Sequence, residues 1–132
     1  MLKKIFCSIS ILLVIGLSAV GNASTIEGGK DYFFRYCLGC HSFACNRESG
    51  PGLGGLFGRK AGSAEGYEEY SDDLKGYDVI WNDETLDEFF KSPSGKTTGI
   101  MADVGKIDGA KLRQQLIAFL KTEDPKFNLC PQ

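Results

Sequence analysis

The order of apolar and polar residues divides the chain into an apolar start, several helical segments and an irregular middle. Residues 5–20 are mostly apolar, whereas later segments repeat apolar residues at the spacing of one helix face. No segment alternates apolar and polar residues in the way that predicts a half-buried strand. The pattern therefore predicts an all-α fold with long loops.

Four segments combine helical spacing with a cap or a stop signal. They are residues 26–38; a short helix from the N-cap Ser71 to about Gly76; a helix from the N-cap Asn82 to just before Pro93; and a helix from Asp108 to Asp124-Pro125. The glycine-rich residues 42–66 join the first segment to the second and are predicted to form loops and turns. No linker or repeat divides the chain after its apolar start, so one domain is expected.

The apolar start follows Lys3 and Lys4 and ends in small residues at Gly21 and Ala23, which is typical of a secretory signal peptide. We therefore expect residues 1–23 to be a signal peptide and residues 24–132 to be the mature domain, although cleavage after Gly21 is a competing site. An uncleaved membrane anchor stays open as an alternative, because about 16 apolar residues are only slightly fewer than the roughly 17 to 25 that span a bilayer.

Charge limits the classes of partner. Removing Lys3 and Lys4 from the 15 Lys and Arg residues leaves 13 against 17 Asp and Glu residues, a net charge of −4. A mildly acidic surface of this kind argues against nucleic acid and against anionic membranes as partners.

The stretch CLGCH places Cys37 and Cys40 three residues apart, directly before His41, the only histidine of the chain. Such a pair can be a redox dithiol, half of a zinc site or the attachment site of a c-type haem. A thioredoxin-like dithiol lies at the start of a helix in a βαβ unit, whereas this pair lies at the end of a predicted helix. Structural zinc needs four ligands, and only Cys45 and the distant Cys130 would be left to complete it.

Haem attachment uses every part of the stretch, because two thiols add to the porphyrin and the adjacent imidazole binds the iron. A second axial ligand is available in Met101, the one methionine that remains once the signal peptide is removed. A methionine that only fills a gap in the core is the competing interpretation. Met101 lies in a turn-rich segment with few apolar neighbours, which favours a ligand.

These motifs resemble those of the class I cytochrome c family, close to the mitochondrial protein and its soluble bacterial relatives. The resemblance covers about residues 27–123 and rests on several matches besides CLGCH. They are Gly29 and Phe33; Gly50-Pro51-Gly52-Leu53; the run from Gly54 to Gly62; Trp81 with Glu84-Thr85-Leu86; Met101; and Leu116-Ile117-Ala118-Phe119-Leu120. The family resemblance implies three to five helices around one haem c, attached covalently through Cys37 and Cys40, with His41 and Met101 as iron ligands.

The resemblance also implies roles around the haem. Pro51 corresponds to the proline whose carbonyl accepts a hydrogen bond from the haem-ligating histidine, and Trp81 to the tryptophan that donates to a haem propionate. Arg59 and Tyr70 correspond to residues near the propionates. The family tyrosine near the methionine is replaced by Phe89, and other departures fall at Gly99 and Asp103.

The function that the resemblance implies is one-electron transport by a monomer, not catalysis. The expected partners are membrane electron-transfer complexes, bound transiently: a quinol–cytochrome c reductase as donor and a terminal oxidase or reaction centre as acceptor. The expected location is the periplasm. A haem peroxidase or a gas or redox sensor, with a labile Met101, is the alternative.

Apart from Cys7 in the expected signal peptide, two cysteines lie outside the haem motif. An exported protein lies in an oxidising compartment, so Cys45 and Cys130 are predicted to form one disulfide that ties the tail to the loop after CLGCH.

Overall fold

A computed structural model describes residues 23–43, 49–99, 101 and 105–123 of the 132-residue chain. These ranges contain four helices: α1 (Ala23–Tyr36), α2 (Asp72–Gly76), α3 (Asp83–Lys91) and α4 (Ala110–Glu123). Within the same ranges, strand-like pairing is limited to two isolated bridges, Lys60 with Ile80 and Ser94 with Thr97. The all-α prediction is confirmed.

The predicted caps of the two middle helices are present. The Ser71 side chain accepts a hydrogen bond from the Leu74 N–H at the start of α2. At the start of α3, Asn82 and Thr85 accept hydrogen bonds from each other's backbone N–H in a capping box. These local bonds satisfy the free N–H groups of the first helical turn, so each helix starts where the sequence predicts.

The outer helices differ from the prediction by two or three residues at an end. Helix α1 ends at Tyr36 rather than near 38, because the N–H groups of Cys37 and Leu38 both donate to the Phe33 carbonyl and close the helix. Helix α4 begins at Ala110 rather than Asp108, because its first backbone bond runs from Arg113 N–H to the Gly109 carbonyl.

Helices α1 and α4 pack against each other, and they come closest at Gly29. A Cβ atom at this position would collide with the backbone carbonyl oxygen of Gln115 on α4, so only glycine permits the contact. Beside it the rings of Phe33 and Phe119 lie 5.5 Å apart, and both residues are almost fully buried. This contact joins the two ends of the described domain.

The long segment between α1 and α3 is held by backbone bonds to the residues just before α3. Gly58 N–H donates to the Trp81 carbonyl at 2.9 Å, and Trp81 N–H donates to the Arg59 carbonyl at 2.9 Å. The segment therefore forms one wall of a cavity whose other walls come from α1, α3, α4 and the residues after Pro93.

The predicted signal peptide lies outside the described residues, apart from Ala23, and so do Cys45 and Cys130. In the part of the chain that the structure describes, no helix is long and apolar enough to cross a membrane.

Candidate cofactor-binding site

A cavity of about 570 Å³ lies between the helices and is lined mainly by apolar side chains. Its volume is within the roughly 300–1,000 Å³ that small-molecule and cofactor sites occupy. All eight residues that the sequence singles out as cofactor-binding line it. They are Cys37, Cys40, His41, Pro51, Arg59, Tyr70, Trp81 and Met101.

The two cysteines lie in the turn that follows α1. The N–H groups of Cys40 and His41 both donate to the Cys37 carbonyl, at 3.0 Å and 2.9 Å. Burial, with the nearby Cys40 as a second cause, raises the pKa of the Cys37 thiol to about 11. A redox dithiol requires the opposite shift, because its attacking thiol must be a thiolate near neutral pH. This direction, and the place of the pair after the end of α1 rather than at the start of a helix, both disfavour a thioredoxin-like pair.

The imidazole of His41 is fixed in one orientation. Its Nδ1 lies 2.9 Å from the Pro51 carbonyl oxygen, and since a carbonyl can only accept, Nδ1 carries the proton. Burial lowers the pKa of His41, while the bond to Pro51 acts in the opposite direction. The ring is thus held neutral with a lone pair on Nε2, which is the form that binds a metal.

Gly50 allows the imidazole to occupy this place. Its N–H donates to the Cys40 carbonyl at 2.7 Å, and a Cβ atom at Gly50 would lie 2.7 Å from His41 Cε1. Real Cβ atoms do not approach that closely, so a larger residue would have to displace the ring. In the sequence Gly50 stands in the motif Gly50-Pro51-Gly52-Leu53, but its neighbours there give no sign of this role.

Met101 lines the same cavity and is held by its own neighbours. Gly105 N–H donates to the Met101 carbonyl at 3.1 Å, and a Cβ atom at Gly105 would lie 3.0 Å from the Met101 methyl carbon. Gly99, two residues before Met101, has a φ of +69°, a conformation that favours glycine. Glycine therefore stands at position 99, where the family has threonine, in a turn whose backbone conformation favours glycine.

Arg59 and Tyr70 line the cavity and also bind the backbone. The two terminal nitrogens of Arg59 donate to the Gly52 and Gly54 carbonyls, each at 2.9 Å. The Tyr70 hydroxyl accepts a hydrogen bond from Ala64 N–H at 3.1 Å, and burial raises the pKa of this phenol. Both polar side chains therefore shape the glycine-rich wall of the cavity.

Trp81 is buried on the same wall. Only 7% of its surface is exposed, and its ring packs edge to face on Phe89 at 5.2 Å between centroids. Phe89 thus fills the place of the family tyrosine with a ring that has no hydroxyl.

One buried charge near the cavity was missed by the sequence analysis. Arg113 is 7% exposed and occupies the position one turn before Leu116 and Ile117 on the apolar face of α4. An arginine on the apolar side of an amphipathic helix signals a buried charge that needs partners.

The residues present fit a haem of the c type. The cavity supplies two thiols for covalent attachment, a neutral imidazole with a free Nε2 lone pair and a thioether sulfur, set among apolar side chains. Nitrogen and soft sulfur ligands of this kind suit haem iron.

Comparison with known proteins agrees with this geometry. The chain is 40% identical over 98 residues to a cytochrome c of Gibberella zeae, across 73% of this chain and 92% of the relative. It is 36% identical over 112 residues to a cytochrome c of Arabidopsis thaliana, across 83% and 96% of the two chains. A cytochrome c2 of Blastochloris viridis is 31% identical over 112 residues, across 83% and 87%. No protein-family model matches the chain.

The chain therefore belongs to the class I cytochrome c family. As a member of that family it is a haem-containing electron carrier with one covalently attached haem c. The family, all-α fold and cofactor that the sequence predicts are confirmed.

Proposed function

We propose that the protein is a one-electron carrier whose haem is attached through Cys37 and Cys40 and ligated by His41 and Met101. The observation that carries the proposal is that one apolar cavity is lined by both thiols, by the oriented imidazole and by the methionine. When bound, the haem supplies reversible one-electron chemistry between ferric and ferrous iron.

The protein residues set the conditions for that chemistry. Pro51 holds the imidazole of His41 in the tautomer that presents Nε2, and Met101, which lines the same cavity, would supply the second ligand to haem iron. The aromatic and aliphatic walls, among them Phe33, Trp81 and Leu116, exclude water from the site. A haem held by both His41 and Met101 would leave no open site for a substrate at the iron, which supports a role in electron transfer rather than catalysis.

The optical spectrum of the purified protein tests the ligation. We expect the weak far-red sulfur-to-iron charge-transfer band in the oxidised form and no binding of carbon monoxide in the reduced form. The variant Met101→Ala should lose the band and bind carbon monoxide while keeping its covalent haem. A wild-type protein that lacks the band and binds carbon monoxide would instead favour a peroxidase or sensor.

That second function draws on the backbone before Met101. Glycines stand on both sides of Met101, at Gly95, Gly99 and Gly105, and the first two have positive φ values, which glycine adopts without strain. A methionine that leaves the iron easily would allow peroxide or a gas to reach it.

We propose as partners membrane electron-transfer complexes, with a quinol–cytochrome c reductase as donor and a terminal oxidase or reaction centre as acceptor. The relatives named cytochrome c and cytochrome c2 support a carrier of this general kind. Rates of reduction and oxidation with purified complexes test the proposal, and the protein is expected to act as a monomer in transient contact with each.

We propose a periplasmic location after removal of residues 1–23, and a disulfide between Cys45 and Cys130. Both follow from the sequence, through the apolar start and the two cysteines outside CLGCH. Intact mass of the secreted protein measures the cleavage site. Alkylation before and after reduction counts the thiols, and two free thiols without reduction would contradict the disulfide.

A further inference from the structure

We infer that Arg113, paired with Asp87, is a positioning residue for Met101. It fixes the end of the methionine-bearing segment, which runs from Met101 to the start of α4, and so favours the form in which Met101 binds the haem iron. The inference rests on the proposed ligation of haem iron by Met101. It concerns a side chain that lines no part of the cavity and acts through the backbone.

Arg113 joins three parts of the fold. Its Nε donates to Asp87 Oδ1 on α3 at 2.8 Å. Its Nη1 donates to the carbonyls of Ile107 and Asp108, at 2.8 Å and 3.1 Å, in the segment that returns from Met101 to α4. The guanidinium suits this task because its donors lie in one rigid plane and point in several directions.

The contacts lead from Arg113 to Met101 in two steps. Ile107 is held from both sides, because its N–H donates to the Phe90 carbonyl of α3 at 2.7 Å and its carbonyl accepts from Arg113. Two residues earlier, Gly105 donates to the Met101 carbonyl and packs on its methyl group. Displacement of Met101 from the cavity would pull on Gly105 and therefore on the bonds at Ile107.

General stability does not by itself explain the burial of Arg113 beside the half-buried Asp87. The side chain of Arg113 is 8% exposed and that of Asp87 is 36% exposed, so the arginine in particular has given up most of its hydration. Apolar residues in place of a buried pair often leave a protein equally stable, whereas a charge that fixes one arrangement contributes specificity. The two carbonyls at Ile107 and Asp108 identify the arrangement that is fixed here.

The chain contains a matched control in a second ion pair between the same two helices. Lys121 of α4 lies 2.7 Å from Asp83 of α3, both side chains are 59% exposed, and neither has a described contact with the segment after Met101. Asp83→Asn therefore removes a link between α3 and α4 without touching the methionine-bearing segment.

The test titrates the oxidised holoprotein with imidazole, which displaces the methionine from the iron, and the loss of the far-red band reports the displacement. The midpoint of urea denaturation of each variant is measured alongside. Arg113→Lys keeps the charge but loses the planar fork, so we expect imidazole to bind about tenfold more tightly, the factor that corresponds to one charged hydrogen bond. Asp87→Asn should shift the affinity in the same direction by less. Asp83→Asn should leave it unchanged.

The outcomes separate the proposed ligation of iron by Met101 from the positioning role of Arg113. If Arg113→Lys and Asp83→Asn bind imidazole with equal affinity, the positioning role is overturned while the ligation of Met101 stands. If the wild-type protein has no far-red band, the ligation itself is wrong and the inference is overturned with it. If Arg113→Lys yields no folded holoprotein, Asp87→Asn decides the question by the same comparison with Asp83→Asn.

Discussion

His41 and Met101 line the same cavity, but the contacts that hold them come from different distances along the chain. His41 is held by Cys37, Gly50 and Pro51, all within ten residues of it. Met101 is held locally by Gly105, and the segment beyond it is tied to α3 and to Arg113 of α4. Of the two proposed ligands, His41 is therefore fixed by a short stretch of sequence and Met101 by the packing of the domain.

From this difference we expect Met101 to leave the cavity more readily than His41. We call the turn of residues 37–41 with Gly50 and Pro51 the histidine wall, and the described residues from Pro93 to Gly99 with Met101 and Gly105 the methionine wall. The histidine wall should lose its geometry only if its own turn unfolds. The methionine wall can open when the contacts between α3, α4 and the segment after Met101 loosen, because the described backbone between Pro93 and Met101 contains turns rather than a helix. The comparison leads to four predictions, in order of decreasing effect on stability.

The largest effect is expected for Gly50→Ala, on the histidine wall. The new Cβ atom would lie 2.7 Å from His41 Cε1 and 3.0 Å from the Cys40 carbonyl oxygen, which already accepts a hydrogen bond from Gly50 N–H. We expect a loss of about 2–3 kcal/mol in the free energy of unfolding, the upper part of the range for overpacking. Urea denaturation of the holoprotein measures it.

Gly39→Ala, two residues before His41 in CLGCH, is the control, because a Cβ atom at Gly39 meets no described atom within 4 Å. Equal destabilisation by the two substitutions would contradict the proposed contact between position 50 and the imidazole.

A smaller loss of stability, with a larger change in ligation, is expected for Gly105→Ala. Its Cβ atom would lie 2.5 Å from the Met101 carbonyl oxygen and 3.0 Å from its methyl carbon. If this segment yields more readily than the turn around His41, as the comparison of the two predicts, the destabilisation should be about 1–2 kcal/mol, together with weakening of the far-red band. A full band at the wild-type midpoint would show that the methionine wall is as rigid as the histidine wall.

Gly99→Ala tests backbone strain on the methionine wall without any collision. Gly99 has a φ of +69°, and a Cβ atom there meets no described atom within 4 Å. The cost is that of an L-residue in the left-handed region, roughly 1 kcal/mol. The urea midpoint should fall by the corresponding amount, and an unchanged midpoint would mean that the turn can adopt another conformation at no cost.

The smallest effect is expected for Pro51→Ala. The hydrogen bond to His41 uses the backbone carbonyl, which alanine retains, so only the rigidity of the ring is lost. We expect less than about 1 kcal/mol of destabilisation and no change in the far-red band. Loss of the band in this variant would show that the orientation of the imidazole depends on the proline ring itself.

The same difference in distance explains how much the sequence could predict. CLGCH, the Ser71 cap and the Asn82 capping box are local, so the residues that make each feature stand together in the chain. The buried pair of Arg113 and Asp87 joins residues on two helices, and nothing near either residue in the sequence identifies its partner.

The steric roles of the glycines were hidden for a similar reason. Gly29 and Gly50 appear in the sequence as parts of motifs, but their need for a missing Cβ atom arises from Gln115 and His41 in the folded chain. The ends of α1 and α4 shifted because backbone carbonyls of Phe33 and Gly109, which the side-chain pattern does not report, set where each helix stops or starts.

The contact of Gly29 with Gln115 also bears on the order in which the protein assembles. The two residues lie near opposite ends of the described domain, so the cavity can close only after almost the entire described chain is available to fold. The cysteines of CLGCH, by contrast, are delivered early. Attachment of the prosthetic group can therefore precede burial of the prosthetic group, and a chain cut short before α4 would carry its cofactor exposed to water.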